Sequence, residues 1–375
     1  MKTLIFTFYC MIISIVTSCT ITSNDNPKSL PVIDLGSVIG KHIPDTFTLN
    51  SIAKQVTYIP ISTSPDTLFG AAKIVYIDKN YYYLVDNRTK TIFRTDKKGK
   101  VLDSFSRTGQ GPGEYISLGY VHVNSKDSSI LVFDHRGDKY VKYDLTGNFI
   151  QEYFLKTKGN SDPLFVSDNF IVARTRDKAP YKLCITDNEM NIQQYLFPID
   201  TTLTEMEHLC LLWQLNYCRN RDQAIVNYAN EDTVYNINEA GINPIFLLRK
   251  GEFALSEDEA KKMREFTPEG SPYVQDLRIG CLPEYYLITY MLNNHFYDEI
   301  WRKSDNILVS RFSNKDGKWG IPFRLPSGKK IRINTNSMFI NANTLAFSIS
   351  ASIAHEEKIA NITEEDNPVL VIVDL

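Results

Sequence analysis

Asp86-Asn-Arg-Thr-Lys-Thr-Ile-Phe-Arg-Thr-Asp96-Lys-Lys-Gly99-Lys-Val-Leu102 and Asp134-His-Arg-Gly-Asp-Lys-Tyr-Val-Lys-Tyr-Asp144-Leu-Thr-Gly147-Asn-Phe-Ile150 are two copies of one pattern, 48 residues apart. Asp86/Asp134, Arg88/Arg136, Arg94/Lys142, Asp96/Asp144, Gly99/Gly147 and Leu102/Ile150 coincide. Each copy reads as a strand, a polar turn, a second strand, a tight turn and a third strand. The Asp-x-x-Gly turn fits because Gly readily reaches φ > 0. A weaker copy, Asp232-Thr-Val-Tyr-Asn-Ile-Asn238-Glu-Ala-Gly241, keeps the phase. A period of roughly 40–50 residues with four short strands per unit is the signature of a β-propeller blade.

Extending the period outward places blades at about 73–106, 117–156, 163–198, 209–250 and 273–313. The last blade has strands near Ser337–Asn341, Thr344–Ala351 and Pro368–Asp374, and lacks a fourth. Gln55-Val-Thr-Tyr-Ile-Pro-Ile61, ahead of blade one, has strand composition and can supply it. Closing the ring in this way removes free sheet edges. The expectation is an all-β chain forming a six-bladed β-propeller over residues 51–375, closed by an N-terminal strand. A sandwich array or solenoid competes, but neither needs the spare strand. Ser256–Phe266 carries Ser at an N-cap, Glu259 three residues on and acids in the first turn, which predicts a short helical insertion between blades four and five. Lys315–Lys330 reads as a long loop between blades five and six. It is either functional or a linker that packs Trp319 and Phe323 on a blade edge.

Composition agrees with this class. Tyr 21 and Phe 20 in 375 residues favour strands. A formal net charge of −3 argues against nucleic acid as a partner, which needs a basic face. Met1-Lys2, the apolar run Leu4–Val16 and Val16-Thr-Ser-Cys19 form a charged start, an apolar stretch and small residues before a cleavage point. Val-Thr-Ser-Cys resembles the bacterial lipobox. It predicts a signal peptide over 1–18, lipid attachment at Cys19, a tether and N-terminal segment over 19–50, and a place in the cell envelope, on the membrane through Cys19. An ordinary signal peptide with Cys19 incidental is the alternative. Cys184, Cys210, Cys218 and Cys281 remain, with three pairings open if they pair; buried free thiols in strands are the other reading.

Arg107-Thr-Gly-Gln-Gly-Pro-Gly-Glu-Tyr115 is the densest motif. It lacks a following helix, so it is no phosphate loop. Gly-Gln-Gly-Pro-Gly-Glu-Tyr after a strand ending in a basic residue, with the Val56–Ile61 strand and the lipobox ahead, resembles the six-bladed β-propeller lipoproteins of gut-type Bacteroidetes, described as NHL-like or TolB-like. That resemblance implies fold and address and leaves activity undefined.

In the repeat frame the motif crosses from the outer strand of blade one to the inner strand of blade two. It therefore shares a face with Asp86–Arg88 and Asp134–Arg136. Arg107, Gln110, Glu114, Tyr115, Asp134, His135 and Arg136 are the candidate ligand-binding residues, suited to a polar ligand such as a sugar or peptide, or to an envelope protein. The bland reading is that the glycines serve the crossover and that Asp86 and Asp134 cap their turns. The histidines are scattered, without a metal motif, and no Gly-x-Ser-x-Gly elbow occurs, so no catalytic residue, metal or cofactor is assigned. Two functions stand: a monomeric binding module, and a lyase or lactonase-like propeller enzyme working at the axial channel.

Overall fold

The computed structural model of the chain describes residues 29–375 except 70, 156–159, 176–178, 214, 218–223, 229, 239–240, 263–269 and 318. Cys19, the expected signal segment over 1–18 and Cys218 lie outside the described residues.

Six small sheets form a ring, a six-bladed β-propeller. Blades one and two each hold four consecutive antiparallel strands, over Lys73–Phe105 and Tyr120–Phe154. Blade three spans Asn160–Pro198, blade four Leu215–Arg249 and blade five Gln275–Ser313. Blade six takes Phe339–Ile340, Thr344–Ile349 and Val369–Asp374 from the C-terminus. Its outer strand is Gln55–Pro60, paired antiparallel from Gln55 opposite Asp374 to Pro60 opposite Val369. The N-terminal strand closes the ring as expected from the strand count.

The repeat shows what its Asp and Gly do. Asp96 Oδ1 accepts from the amides of Lys98 and Lys100, and Asp144 Oδ1 from those of Thr146 and Asn148, all at 2.8–2.9 Å. Gly99 and Gly147 take φ of +86° and +87°. A Cβ on Gly99 would lie 2.0 Å from the Pro60 carbonyl oxygen, and one on Gly147 2.3 Å from the Phe105 ring. Each glycine thus lets the turn press against the end of the preceding blade's outer strand. Blade three repeats the turn with Asp187 Oδ1 accepting from Glu189 and Asn191, both at 2.9 Å, but Met190 stands at the glycine position with φ +66°. That substitution hides the third copy from the sequence pattern.

Two expectations are corrected, and the helical insertion is borne out in shorter form. A helix over Glu205–Trp213 occupies the ground assigned to the start of blade four. Thr204 and Glu207 cap it reciprocally, at 2.9 Å and 3.3 Å, a box of the Thr-x-x-Glu type. The helix after Ser256 is confined to Glu257–Ala260 within the described residues, with Ser256 Oγ accepting from Glu259 N at 3.2 Å. Lys315–Lys330 is not structureless. It opens with a 3-10 turn at Asn314–Asp316, and Ile321–Arg324 then pairs with Lys330–Ile333 as a hairpin. Phe323 is buried against Phe347, while exposed Trp319 packs on Phe296.

The segment before the closing strand wraps the rim. Val32–Asp34 pairs in parallel with Leu247–Arg249, adding a fifth strand to blade four. The chain then crosses blade five, where Pro44 O accepts from Ser310 Oγ at 2.7 Å and the Val38 and Lys41 carbonyls accept from Arg311 Nη1 at 3.0 Å. Arg311 is held from beneath by Glu299, whose fully buried carboxylate also accepts from Trp301 Nε1 at 2.7 Å and Tyr290 OH at 2.9 Å. Burial raises the Glu299 carboxyl, against the pull of Arg311 and the other donors. Cys184 and Cys281 are buried in strands outside any disulfide, each thiol pushed up to about 12 by burial; Cys210, also outside any disulfide, lies in the helix instead.

Arg311→Met is expected to strand Glu299 and release the strap, costing about 3–5 kcal/mol at pH 7 in urea unfolding. The loss should shrink in acid, where a protonated Glu299 needs no cation. Unchanged stability at pH 7 contradicts this role for the pair.

Candidate functional site

The upper face carries the turns between second and third strands and the crossovers between blades. The crossover over residues 106–119 is a closed structure. Gly109 N donates to Tyr115 O at 3.1 Å and Tyr115 N to Arg107 O at 2.8 Å. Glu114 folds back to accept from Gly111 N at 2.8 Å, so its carboxylate fills the space that a side chain at Gly109 would need. Gly113 takes φ +70°, with the Phe149 ring against its Cα. Buried Tyr115 donates to Lys90 O at 2.8 Å and accepts from Arg107 N at 3.2 Å. Arg107 Nε donates to Gly147 O at 3.1 Å, at the turn into the outer strand of blade two. Its guanidinium is thereby placed at the rim.

Asp134 anchors the inner end of the crossover. Its buried carboxylate accepts from Ile116 N at 2.8 Å, Ser117 N at 2.9 Å and Ser117 Oγ at 2.8 Å. Burial alone would raise this carboxyl; the donors from Ile116, Ser117 and Gly137 outweigh it and hold it below the usual carboxylate range. Asp86 caps its own turn through Arg88 N at 2.8 Å. Gln110 and Asp134 border a rim-side depression with Lys139 and Glu152, which are joined at 2.8 Å under the glycines. Arg136 is exposed, and its amide donates to Ser117 Oγ at 3.2 Å.

Of the candidate residues, His135 alone lines the mouth of the axial channel. There a cavity of about 260 Å³ is walled by the inner strands of blades one, two, three and six, including Lys73–Val75, Leu118–Val121, Asp162–Leu164 and Met338–Phe339. Asn87, His135 and Arg174 project from the second-strand ends. His135 Nδ1 lies 3.3 Å from Asp162 Oδ1, and Arg174 Nη1 3.5 Å from Asp162 Oδ2. Val85, Phe133 and Leu164 supply apolar wall. Sequence reasoning missed Asp162, Arg174, Lys73 and Asn87. The repeat gave no signal for Arg174: Thr175 ends the second strand of blade three where blades one and two end on Asp86 and Asp134, and Arg174 precedes it. Asp162 lies in a first strand that the repeat frame did not recover. Among the described residues, no group of three or more His, Cys, Asp or Glu side chains is placed to hold one metal ion.

Residues 30–374 match the family described as Domain of unknown function (DUF4934). No curated protein matches the sequence. Among solved structures, the chain resembles a protein described as exported, from Bacteroides fragilis NCTC 9343, at 15% identity and a TM-score of 0.63, over 91% of this chain and 99% of that one. It also resembles a member of the DUF4221 family from Bacteroides vulgatus ATCC 8482, at 11% identity and a TM-score of 0.51, over 86% and 97% of the two chains. At these identities the likeness is one of fold. No helix among the described residues is long and apolar enough to cross a membrane.

Asp134→Asn should lower the melting temperature at pH 7, because each stranded buried amide costs roughly 1–3 kcal/mol. A depressed carboxyl contributes stability above its unfolded pKa of about 4 and loses it as pH falls through the folded value. The gap between wild type and variant should therefore narrow in acid below about pH 4. A pH-independent gap in thermal unfolding contradicts the assignment.

Proposed function

The chain belongs to the family described as Domain of unknown function (DUF4934), and from its fold and channel mouth we propose that it is a lipid-anchored β-propeller of the cell envelope that binds a small polar ligand on its upper face. The observation that carries this reading is the cavity at the channel mouth, where side chains from several blades converge with His135, Asp162 and Arg174 in one polar chain. At about 260 Å³ the cavity is just below the usual range of small-molecule sites, and its mixed walls with a few converging polar groups have their form. Upstream, the lipobox at Cys19 supports anchoring, and the fold shared with a protein described as exported supports an address outside the cytoplasm. Gln110 and Asp134 mark a second depression on the same face, available to an envelope protein partner.

The enzyme reading draws on one observation. An imidazole 3.3 Å from a carboxylate at a cavity mouth is an arrangement that orients a general base. Binding without turnover separates the two.

The test is a thermal-shift and calorimetric screen of sugars and short peptides on the full chain in detergent. A ligand should emerge whose affinity falls at least tenfold in His135→Ala, while Gln110→Ala leaves it unchanged. Binding that ignores His135→Ala and Asp162→Asn contradicts the channel site. Cys19→Ser should move the protein from the detergent phase to the aqueous phase; unchanged partitioning contradicts the lipid anchor.

A further inference from the structure

The insertion between blades five and six carries charge that the ring does not use. Residues 315–332 hold six Lys and Arg against the single acid Asp316, in a chain of formal net charge −3. Lys329 is engaged by Glu356 at 2.7 Å, and Arg332 lies over the Phe312 ring with Nη1 donating to Gly320 O at 3.1 Å. Lys315, Arg324 and Lys330 are exposed, and none of them meets a carboxylate among the described residues. Arg324 Nη1 reaches only Gly328 O, at 3.4 Å, and Lys315 Nζ lies 5.9 Å from the centre of the Tyr297 ring.

The hairpin register sets Arg324 directly opposite Lys330. Opposed residues stand on one face of a strand pair, where like charges are destabilising. The backbone holds them there nonetheless. The Arg324 amide donates to Asn50 Oδ1 at 2.6 Å, its carbonyl accepts from Asn50 Nδ2 at 3.0 Å, and buried Phe323 and Ile333 fix the opposite face of the hairpin. An external anion relieves the repulsion. At the base of the hairpin, exposed Trp319 rests on Phe296 with ring centroids 4.4 Å apart. An indole beside cations suits the headgroup level of a bilayer, with its apolar body in lipid and its N–H in the wet layer.

The path of the chain selects the anion. Asn50 belongs to the strap, which begins ten residues after Cys19, at Ser29. Ten extended residues span at most about 35 Å. A lipid on Cys19 therefore keeps the strap, and the hairpin bonded to it, within reach of a membrane surface. We propose that this insertion is a second membrane contact, in which Lys315, Arg324 and Lys330 bind the headgroups of anionic lipids and Trp319 enters the interface. It rests on the lipid-anchored reading of the chain for its reach, and names the face that the anchored propeller turns to the bilayer.

The experiment places the full chain on vesicles of brominated phosphatidylcholine, with or without an equal share of phosphatidylglycerol, and reads the quenching of tryptophan fluorescence. Quenching should appear on the anionic vesicles, be at least fivefold weaker on the neutral ones, and fall away in high salt. Trp319→Leu should remove it. Lys315→Gln, Arg324→Gln and Lys330→Gln should each lower the ratio of docked to undocked chain about fivefold. Equal quenching on both kinds of vesicle, or quenching that ignores the three charge substitutions, overturns the docking face while the anchor stands. A chain that washes off neutral vesicles but stays on anionic ones loses the anchor and keeps the docking face; one that washes off both loses both. Capture of soluble dextran sulfate without quenching on anionic vesicles overturns the lipid assignment in favour of an acidic polymer.

Discussion

Ring closure is the constraint on which the rest depends. The C-terminus supplies three strands to the sixth blade, and the fourth comes from Gln55–Pro60, more than three hundred residues earlier. Without that strand, Val369–Asp374 would be left as an apolar edge, and the ring would lack the pairing that joins its ends. The axial cavity inherits this constraint. Its walls include Met338 and Phe339 from blade six and Lys73–Val75 from blade one, the two blades that meet at the closure.

The strap extends the closure around the rim. Between Val32 and Pro60 the chain pairs with the edge of blade four, bonds across blade five and becomes the edge of blade six. The buried Glu299–Arg311 pair is the fulcrum, since one guanidinium joins the core carboxylate to two strap carbonyls. On the other half of the ring, contact between blades is made by the repeat itself: the tight turns of blades one and two press against the preceding outer strands, and the amide of Ser62 and the guanidinium of Arg107 donate to the Gly99 and Gly147 carbonyls. Arg107, conspicuous in the sequence as a charged residue beside a glycine-rich motif, thus serves assembly.

The fold was legible because it is written in backbone chemistry. Asp-x-x-Gly turns and a strand count that fails by one at the C-terminus are local signals with few alternative meanings. The pattern faded where another residue could do the same work. Met190 holds a left-handed turn without glycine, and the helix over Glu205–Trp213 displaced the expected start of blade four. The site was legible only in part. His135 lies in the repeat and could be placed on the upper face by strand direction. Asp162, Arg174 and Lys73 come together through the radial convergence of blades, which leaves no spacing in the chain. Gln110, Glu114 and Tyr115 share the face but serve the crossover or its rim, because sequence position fixes the side of the ring and not the direction of a side chain.

Hydrogen exchange followed by mass spectrometry tests the closure most directly. Residues 55–59 and 369–374 share one ladder across the ends of the chain. In the edge strand, the alternate amides that face residues 369–374 should be protected, and should lose protection together with 369–374 at the denaturant concentration of global unfolding. Rapid exchange of every amide in 55–59 while 369–374 stays protected would contradict a ring closed by its N-terminal strand.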